Sequence, residues 1–387
     1  MTPDVSAVLC RDYSETEALM ALREAIALID GLSWVKPGMT IAIKANLVTA
    51  KKPEAAATTH PALLCALVRL LQEKGARAVV GDSPGGPYTA GYLNAVYRTT
   101  GLRAVEEAGG TLNHNFEQET AHFPEGVAAK SFQITSYLKE ADGIINFCKL
   151  KTHGMMGMSA AAKNMFGAIP GTLKPEYHLI HRNAEEFADH IVDIDEYFKP
   201  QLHLVDGVMA MEGNGPTMGT PRYVGLVAAS HNPHALDLFC AGVIGRKPKE
   251  IPTLYAAMKR GLVPESREEI SVIGSGKDVK IGDFQNLMNM NSVLFTGTFK
   301  GKTGELFGKL VQKALGTEPK PEKSLCTACG KCQKICPAKA ITIKGGIPRI
   351  QKKLCIRCFC CQEFCPTSAM QVKRAFVARV LDFGKKK

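Results

Sequence analysis

The chain has 387 residues, of which 45% are hydrophobic and 22% charged, with a formal net charge of +11. This composition is typical of a globular protein and excludes the disordered and fibrous classes. The N-terminus lacks the basic and apolar regions of a secretory signal, and no apolar run approaches the roughly 18 residues that cross a bilayer. We therefore expect a soluble, cytoplasmic protein without a transmembrane segment.

The first 300 residues alternate between apolar runs and helical patterns. The runs predict strands at 6–10, 39–47, 76–82, 143–150, 202–210 and 223–229. Helical periodicity predicts helices at 15–30, 61–75, 91–108 and 185–198. Continuous apolar strands separated by helices are typical of a mostly parallel sheet covered by helices on both faces. We predict an α/β body over residues 1–300.

Polar residues follow several of these strands. Lys44 and Asn46 end the second strand, and Asp82 and Ser83 end the third. The segment 147–167 (FCKLKTHGMMGMSAAAKNMFG) then contributes Lys149, Lys151, His153, Lys163 and Asn164. Lysines among apolar neighbours need an anionic partner, so this segment predicts an anion pocket. The alternative is a solvated surface loop.

A second glycine-rich segment, 206–221 (DGVMAMEGNGPTMGTP), also follows a predicted strand and carries Asp206, Glu212 and Asn214. Its glycines allow close approach of a ligand, and strand ends are where α/β sheets bind ligands. The alternative is a crossover loop whose acidic residues cap helices. Neither segment contains a nucleotide-binding fingerprint.

Residues 301–323 are rich in glycine and lysine, with one amphipathic stretch at 305–315 followed by Pro319 and Pro321. This composition predicts a linker. Residues 324–387 follow as a small α+β domain with a basic tail, and nine of the thirteen cysteines lie between 326 and 365. Their spacing predicts metal ligands rather than disulfides.

The cysteines form an internal repeat. Each half reads C-x2-C-x2-C-x3-C-P, and the second half follows 29 residues after the first. Four thiolates hold a 4Fe-4S cubane, and in two-cluster ferredoxins the fourth cysteine of each run ligates the other cluster. The first predicted ligand set is Cys326, Cys329, Cys332 and Cys365. The second is Cys355, Cys358, Cys361 and Cys336.

The spacing of the cysteines also excludes a zinc site in this ferredoxin domain. A zinc site would use four cysteines in two separated pairs, a spacing that the repeat does not have. Cys360 lies outside the repeat, so we predict that it is not a ligand.

Residues 320–387 carry a net charge of +13, part of which offsets the charge of two thiolate-ligated clusters. The remainder favours an acidic redox partner, and without interleaved aromatic residues we expect no nucleic-acid binding.

Five segments of the body resemble the domain-of-unknown-function family 362: IKANL, GDSPGG, KLKTHGMMGMSAAAKNMFG, DGVMAMEGNGPTMGTP and ALDLFCAGVIG. The resemblance covers roughly residues 1–300, and members commonly carry a C-terminal ferredoxin pair. It implies an α/β cytoplasmic protein of anaerobic or facultative prokaryotes and lends no substrate. It also implies a shared site formed by Lys149, Lys151, His153, Lys163, Asn164, Asp206, Glu212 and Asn214.

We expect an iron-sulfur electron-transfer protein in which the ferredoxin domain passes low-potential electrons to a small anionic substrate or cofactor in the body. The candidates for catalysis, chiefly proton transfer, are His153, Lys163, Asp206 and Glu212. The candidates for binding are Lys44, Asn46, Lys149, Lys151, Asn164 and Asn214. Two alternatives stay open: a non-catalytic carrier or docking adaptor in a larger redox complex, and a metal- or cluster-delivery protein. The sequence identifies no additional cofactor for the body.

Overall fold

The computed structural model describes residues 4–181, 183–286 and 317–374. No helix in these ranges is long and apolar enough to cross a membrane. The strands are β1 (Val5–Leu9), β2 (Thr40–Lys44), β3 (Arg77–Gly81), β4 (Thr111–Leu112), β5 (Gln118–His122), β6 (Ser131–Thr135), β7 (Gly143–His153), β8 (Gly157–Ser159), β9 (Leu202–Glu212), β10 (Thr220–Ser230), β11 (Val272–Ile273), β12 (Thr317–Pro321), β13 (Ile341–Lys344), β14 (Ile347–Ile350) and β15 (Met370–Arg374). The α-helices are α1 (Glu15–Ala27), α2 (Pro61–Glu73), α3 (Ala90–Thr99), α4 (Arg103–Glu107), α5 (Ala161–Met165), α6 (Lys174–Ile180), α7 (Ala184–Phe198), α8 (Pro233–Val243), α9 (Pro252–Lys259), α10 (Lys331–Lys334) and α11 (Cys360–Glu363).

Nine of the described strands form one sheet, in the order β11-β1-β10-β9-β7-β2-β3-β4, with β8 paired to β7. Strand β2 runs parallel to β3 and β7, and β7 runs parallel to β9. Strand β10 runs antiparallel to β9 and β1. The mostly parallel α/β body predicted from the sequence is therefore confirmed.

Helices cover both faces of this sheet. Ile41 and Ile43 of β2 belong to the core on the side of α1 and α2. Ala42 between them belongs to the opposite core, with residues of α5 and α7. This alternation follows from the two-residue period of a strand, and burial of both faces explains why the strands are continuously apolar.

The helix predicted at 91–108 is divided into α3 and α4. Gly101 lies between them with φ of +76°, a conformation that glycine adopts without strain. Leu102 and Val105, after the break, are as buried as Val96 before it. The apolar periodicity therefore continues across the break and does not reveal it.

Part of the segment assigned to the linker is a strand of the ferredoxin module, defined here as residues 317–374. Strand β12 pairs antiparallel with β15, and it contains both Pro319 and Pro321. A strand with a single neighbour tolerates prolines, because the missing N–H can fall on its outer edge. The rest of that segment, with its amphipathic stretch, and the basic tail after residue 374 lie outside the described residues.

The ferredoxin module shares a hydrophobic core with the body. Phe359 and Cys360 are buried in the same cluster as Met155 and Phe166 of the body. The module also approaches the body backbone closely: a Cβ at Gly85 would lie 2.8 Å from the Phe364 ring. The α11 region is therefore packed on the body as part of one fold.

Asp193 of α7 offers a test of the packing on the face of the sheet that α5 and α7 cover. Its buried carboxylate accepts hydrogen bonds from the backbone N–H groups of residues 127–129 and from Arg260 at 2.7–2.9 Å. Asp193→Ala is expected to lower the free energy of unfolding by about 3 kcal/mol or more, because these donors lose their acceptor. Glu186→Ala, an exposed change on the same helix, is expected to cost less than about 1 kcal/mol. Urea unfolding followed by circular dichroism measures both, and equal effects would contradict the assignment.

Candidate functional site

The eight repeated cysteines lie in two groups in the module. One cavity is lined by Cys326, Cys329, Cys332 and Cys365. Cys355 interacts electrostatically with Cys358 and Cys336, and Cys361 does so with Cys358, Cys355, Cys336 and, most weakly, Cys332 of the first group. These groups coincide with the two crossed ligand sets, so the residues present fit a pair of 4Fe-4S clusters. The assignment of each cysteine as a ligand stays a prediction.

The internal repeat is also present in the backbone. Ala328 and Arg357 have φ of +55° and +57°, and Gly330 and Phe359 have φ of +75° and +62°. The members of each pair lie 29 residues apart, at equivalent positions of the two cysteine loops. Left-handed residues let a loop wrap around a compact group and form concave backbone sites of the kind seen at clusters. The duplicated sequence therefore folds into duplicated loops.

Within the described ranges, no three His, Cys, Asp or Glu side chains converge closely enough to hold a single metal ion. In a cubane each thiolate binds a different iron atom. The cysteines of one cluster therefore lie farther apart than the ligands of one ion, and the two observations are compatible.

A second cavity lies where the module meets the body. Its volume is about 70 Å³, measured as the space open to the centre of a water molecule, which suits a few waters or a small anion. The sequence candidates Asn46, Lys151, His153, Lys163 and Asn164 all line it. The other polar side chains of its wall are Asp82, Ser83, Ser159, Lys174 and His178 from the body and Cys360 and Glu363 from the module.

We call this space the anion cavity, after the lysines Lys151, Lys163 and Lys174 in its wall. A hydrogen-bonded network fixes one side of that wall. Lys44, behind the wall, lies 2.7 Å from Asp82 and is fully buried. Lys151 donates to the Asn46 Oδ1 at 2.6 Å, and Asn46 donates to the Asn164 Oδ1 at 2.7 Å. Burial, followed by the charge of nearby lysines, lowers the pKa of Lys151 to about 7. The amides are thus held in place by their partners, and Lys151 titrates near neutral pH.

Two half-buried lysines also line the cavity. Lys174 donates to the carbonyl oxygens of Ser83 and Ile169. The Lys163 ammonium lies 4.6 Å from the centre of the Phe166 ring and makes no hydrogen bond in the described part of the chain. Burial lowers the pKa of both lysines, to about 7 for Lys174. Lys163 therefore presents donors for which an anion in the cavity would supply the acceptor.

His153 joins the body to the module across the cavity. Its Nδ1 accepts from the N–H groups of Met155 and Met156 at 3.2 Å, so the proton of the neutral ring lies on Nε2. Nε2 is 3.4 Å from the Glu363 carboxylate. Burial lowers the pKa of His153 well below its ordinary value and raises the pKa of Glu363. His153 is therefore a neutral donor at physiological pH.

Lys149 and Asp206 form a separate buried ion pair outside the cavity lining. Their side chains are 2.8 Å apart, and Tyr13 bridges them by accepting from Lys149 and donating to Asp206. The His60 N–H also donates to the Asp206 carboxylate. Lys149 and Lys151 lie two residues apart on the same face of β7, and Lys151 donates instead to Asn46 and to the Ala57 carbonyl oxygen. The structure thus places one of them in the core and the other at the cavity.

The second glycine-rich segment lies against other parts of the chain. Glu212 is buried and accepts from the Gln285 N–H at 2.9 Å. The Asn214 carbonyl oxygen accepts from the Gln362 side chain at 2.9 Å, and its Oδ1 accepts from the Val372 N–H at 3.3 Å. Neither residue lines the anion cavity. Asn214 instead fastens the module to the body.

Lys174, His178 and Glu363 of the cavity wall were not sequence candidates. Lys174 and His178 belong to α6, which follows no predicted strand and carries no motif. Glu363 lies inside the second cysteine run, where the ligand pattern concealed any other role. Its position two residues from Cys361 was a usable signal, since such a residue lies close to a cluster.

The two kinds of lysine are expected to respond differently to substitution. Lys149→Met is expected to lower the free energy of unfolding by about 3–5 kcal/mol, because Asp206 then stays buried without its partner. Lys163→Met is expected to leave it unchanged or raise it, because the ammonium that it removes makes no hydrogen bond in the described residues. Urea unfolding of both variants provides the comparison. Equal losses of unfolding free energy in the two variants would contradict the assignment of Lys149 to a buried ion pair and of Lys163 to the cavity.

Family models match two regions of the chain. The family described as Domain of unknown function (DUF362) matches residues 41–242, slightly more than half of the chain. The 4Fe-4S dicluster domain matches residues 318–366, which contain all eight repeated cysteines. The first match includes the body residues of the anion cavity, and the second includes its module residues.

Individual relatives differ widely in similarity. A thylakoid-associated protein of Synechocystis sp. is 32% identical over 276 residues, which are 69% of this chain and 83% of that protein. The lactate racemase apoprotein of Thermoanaerobacterium thermosaccharolyticum has a TM-score of 0.39 at 12% identity, over 61% of this chain and 56% of that one. A Thermotoga maritima protein has a TM-score of 0.34 at 14% identity, over 55% and 54%. This chain spans little more than half of either structure. On the family match and the first relative, the chain belongs to the family described as Domain of unknown function (DUF362), here joined to a 4Fe-4S dicluster domain of the electron-transfer type.

Proposed function

We propose that this protein is an oxidoreductase in which the ferredoxin module supplies electrons to a small anion bound in the anion cavity. One observation carries the proposal: Cys360, Glu363 and Phe364 form part of the cavity wall. Cys360 directly precedes the predicted ligand Cys361, and Glu363 and Phe364 lie between it and the predicted ligand Cys365. An anion in the cavity would therefore lie beside residues that hold the clusters.

The residues of the wall have distinct roles in this proposal. Lys163 and Lys174 bind the anion by charge and hydrogen bonding. The neutral His153, whose Nε2 faces the Glu363 carboxylate, holds the body side of the wall against the module side. Lys151 and Lys174, whose pKa values are about 7, can deliver the protons that accompany electrons in the reduction of an organic substrate. When bound, the clusters would supply the electrons one at a time.

The cavity also bears on the class of substrate. Its volume of about 70 Å³ suits a small anion. The wall combines three lysines with Asp82 and Glu363, so cationic groups outnumber carboxylates. We therefore propose a small carboxylate or oxoanion as the substrate. Asp206 and Glu212, which do not line the cavity, have no direct part in this chemistry.

Turnover by the reduced protein tests this proposal. Anaerobic protein, photoreduced and freed of reductant, is mixed with a panel of small carboxylates and oxoanions, and cluster absorbance reports reoxidation. We expect at least one anion to accelerate reoxidation tenfold or more. Lys163→Ala is expected to abolish the acceleration while iron content is retained, because the anion loses its hydrogen-bond donor.

Lys36→Ala, at an exposed position of the body, is the matched control and is expected to behave as the unmodified protein. If no anion of the panel either binds in calorimetry or accelerates reoxidation, the substrate proposal is wrong. A non-catalytic carrier, which needs no interior site, would then be favoured.

Anion binding is expected to weaken as the pH rises through about 7. Lys151 and Lys174 have depressed pKa values of about 7. Both are charged below this pH and lose their protons above it, so affinity falls by up to tenfold per pH unit for each proton taken up on binding. The charged groups that face these two lysines are Lys44, Asp82, Lys149, Lys163 and Glu363.

Sulfate is a suitable probe for this dependence, because its own charge is constant in this range. Calorimetry at pH 6, 7 and 8, in buffers of different ionisation enthalpy, measures both affinity and proton uptake. Lys174→Met is expected to reduce the slope of affinity against pH. A pH-independent affinity would contradict the assignment of these lysines to the binding site.

A further inference from the structure

A groove opens on the ferredoxin module, at a place distinct from the anion cavity. Its volume is about 390 Å³, and the predicted cluster ligand Cys355 forms part of its wall. We call it the basic groove, after the side chains that surround Cys355, namely Lys320, Lys323, Arg349, Lys352 and Arg357. Its apolar surface comes from prolines and from Ile347 and Ile350.

The charge of this groove is unbalanced. Its one acidic residue, Glu318, is engaged by Lys352 at 2.8 Å. Lys320, Lys323 and Arg349 are exposed, and none of them forms an ion pair within the described ranges. Like charges held this close repel one another, and an acidic ligand relieves the repulsion.

We propose that the basic groove is the docking site for an acidic electron-carrier protein, and that electrons enter the module there. In the docked complex one electron leaves the carrier, which is oxidised, and reaches the cluster that Cys355 would help to hold, which is reduced. No proton is required in this step. The inference is independent of the substrate in the anion cavity, because a non-catalytic carrier would need the same docking site.

The shape and chemistry of the groove favour a protein over other anionic partners. A bilayer surface is nearly flat and would contact the rim without reaching Cys355, whereas an acidic loop or helix edge of a protein can enter a groove. Single-stranded nucleic acid usually binds where aromatic side chains stack on bases, and none of the described residues that line this groove is aromatic. A charged rim around a partly apolar centre is also the usual form of a transient protein interface.

The test compares charge reversal in the groove with charge reversal elsewhere. The groove variant is Lys320→Glu/Arg349→Glu, and the control is Lys36→Glu/Lys74→Glu, which changes two exposed lysines of the body. Photoreduced flavodoxin, an acidic protein, is the probe, and stopped-flow absorbance measures reduction of the holoprotein. The groove variant is expected to react at least tenfold more slowly at low ionic strength, and the control within about twofold of the unmodified protein. Reduced methyl viologen, a small cationic reductant, is expected to reduce the groove variant no more slowly than the other two proteins, because the change of charge does not repel it.

A second readout does not depend on the variants or on electron transfer. Carbodiimide cross-linking of the unmodified holoprotein to flavodoxin joins lysines to carboxylates in contact. We expect cross-links at Lys320, Lys323 or Lys352, and their loss at high salt. Cross-links confined to other lysines, or equal flavodoxin rates for both double variants, would overturn the proposal. Binding to anionic vesicles or RNA, sensitive to the groove variant and without any response to flavodoxin, would overturn it in favour of those partners.

Discussion

Burial of lysine ammonium groups is the constraint on which the organisation of this protein depends. Lys44, Lys149 and Lys151 are at most 1% exposed, and each needs a fixed acceptor to offset the loss of hydration. Asp82 and Asp206 neutralise the first two. Among the described residues Lys151 has amide and carbonyl acceptors but no carboxylate, which leaves its proton weakly held. Of these three buried lysines, the one without a carboxylate partner is therefore the one that lines the anion cavity.

The sequence reveals most of the fold and about half of the site. Apolar runs show each buried strand, because burial on both faces leaves no polar residue to interrupt them. The cysteine repeat is equally clear, because cubane ligation requires that spacing. Pro319 and Pro321 lie on strand β12 within the predicted linker, since a proline in a linker and a proline on an edge strand look alike in sequence.

The remaining site residues depend on geometry that local patterns do not contain. Lys149 and Lys151 lie two residues apart in one strand, yet the first pairs with Asp206 and the second donates to Asn46. Likewise, nothing in the spacing shows that Asn214 meets the module while Asn164 meets the cavity. Such contacts join residues far apart in the chain, and only the packed sheet decides them.

The arrangement also couples the two ends of the proposed electron path. An anion held by Lys163 would place negative charge beside the residues around Cys361. This negative charge would make it harder to add an electron to the adjacent cluster. A cluster that is already reduced would then be a stronger reductant for the anion. By reciprocity, a reduced cluster would weaken the binding of a second anion or of a charged product. The packing of the module against the cavity would therefore favour release of a charged product once the cluster is reduced again.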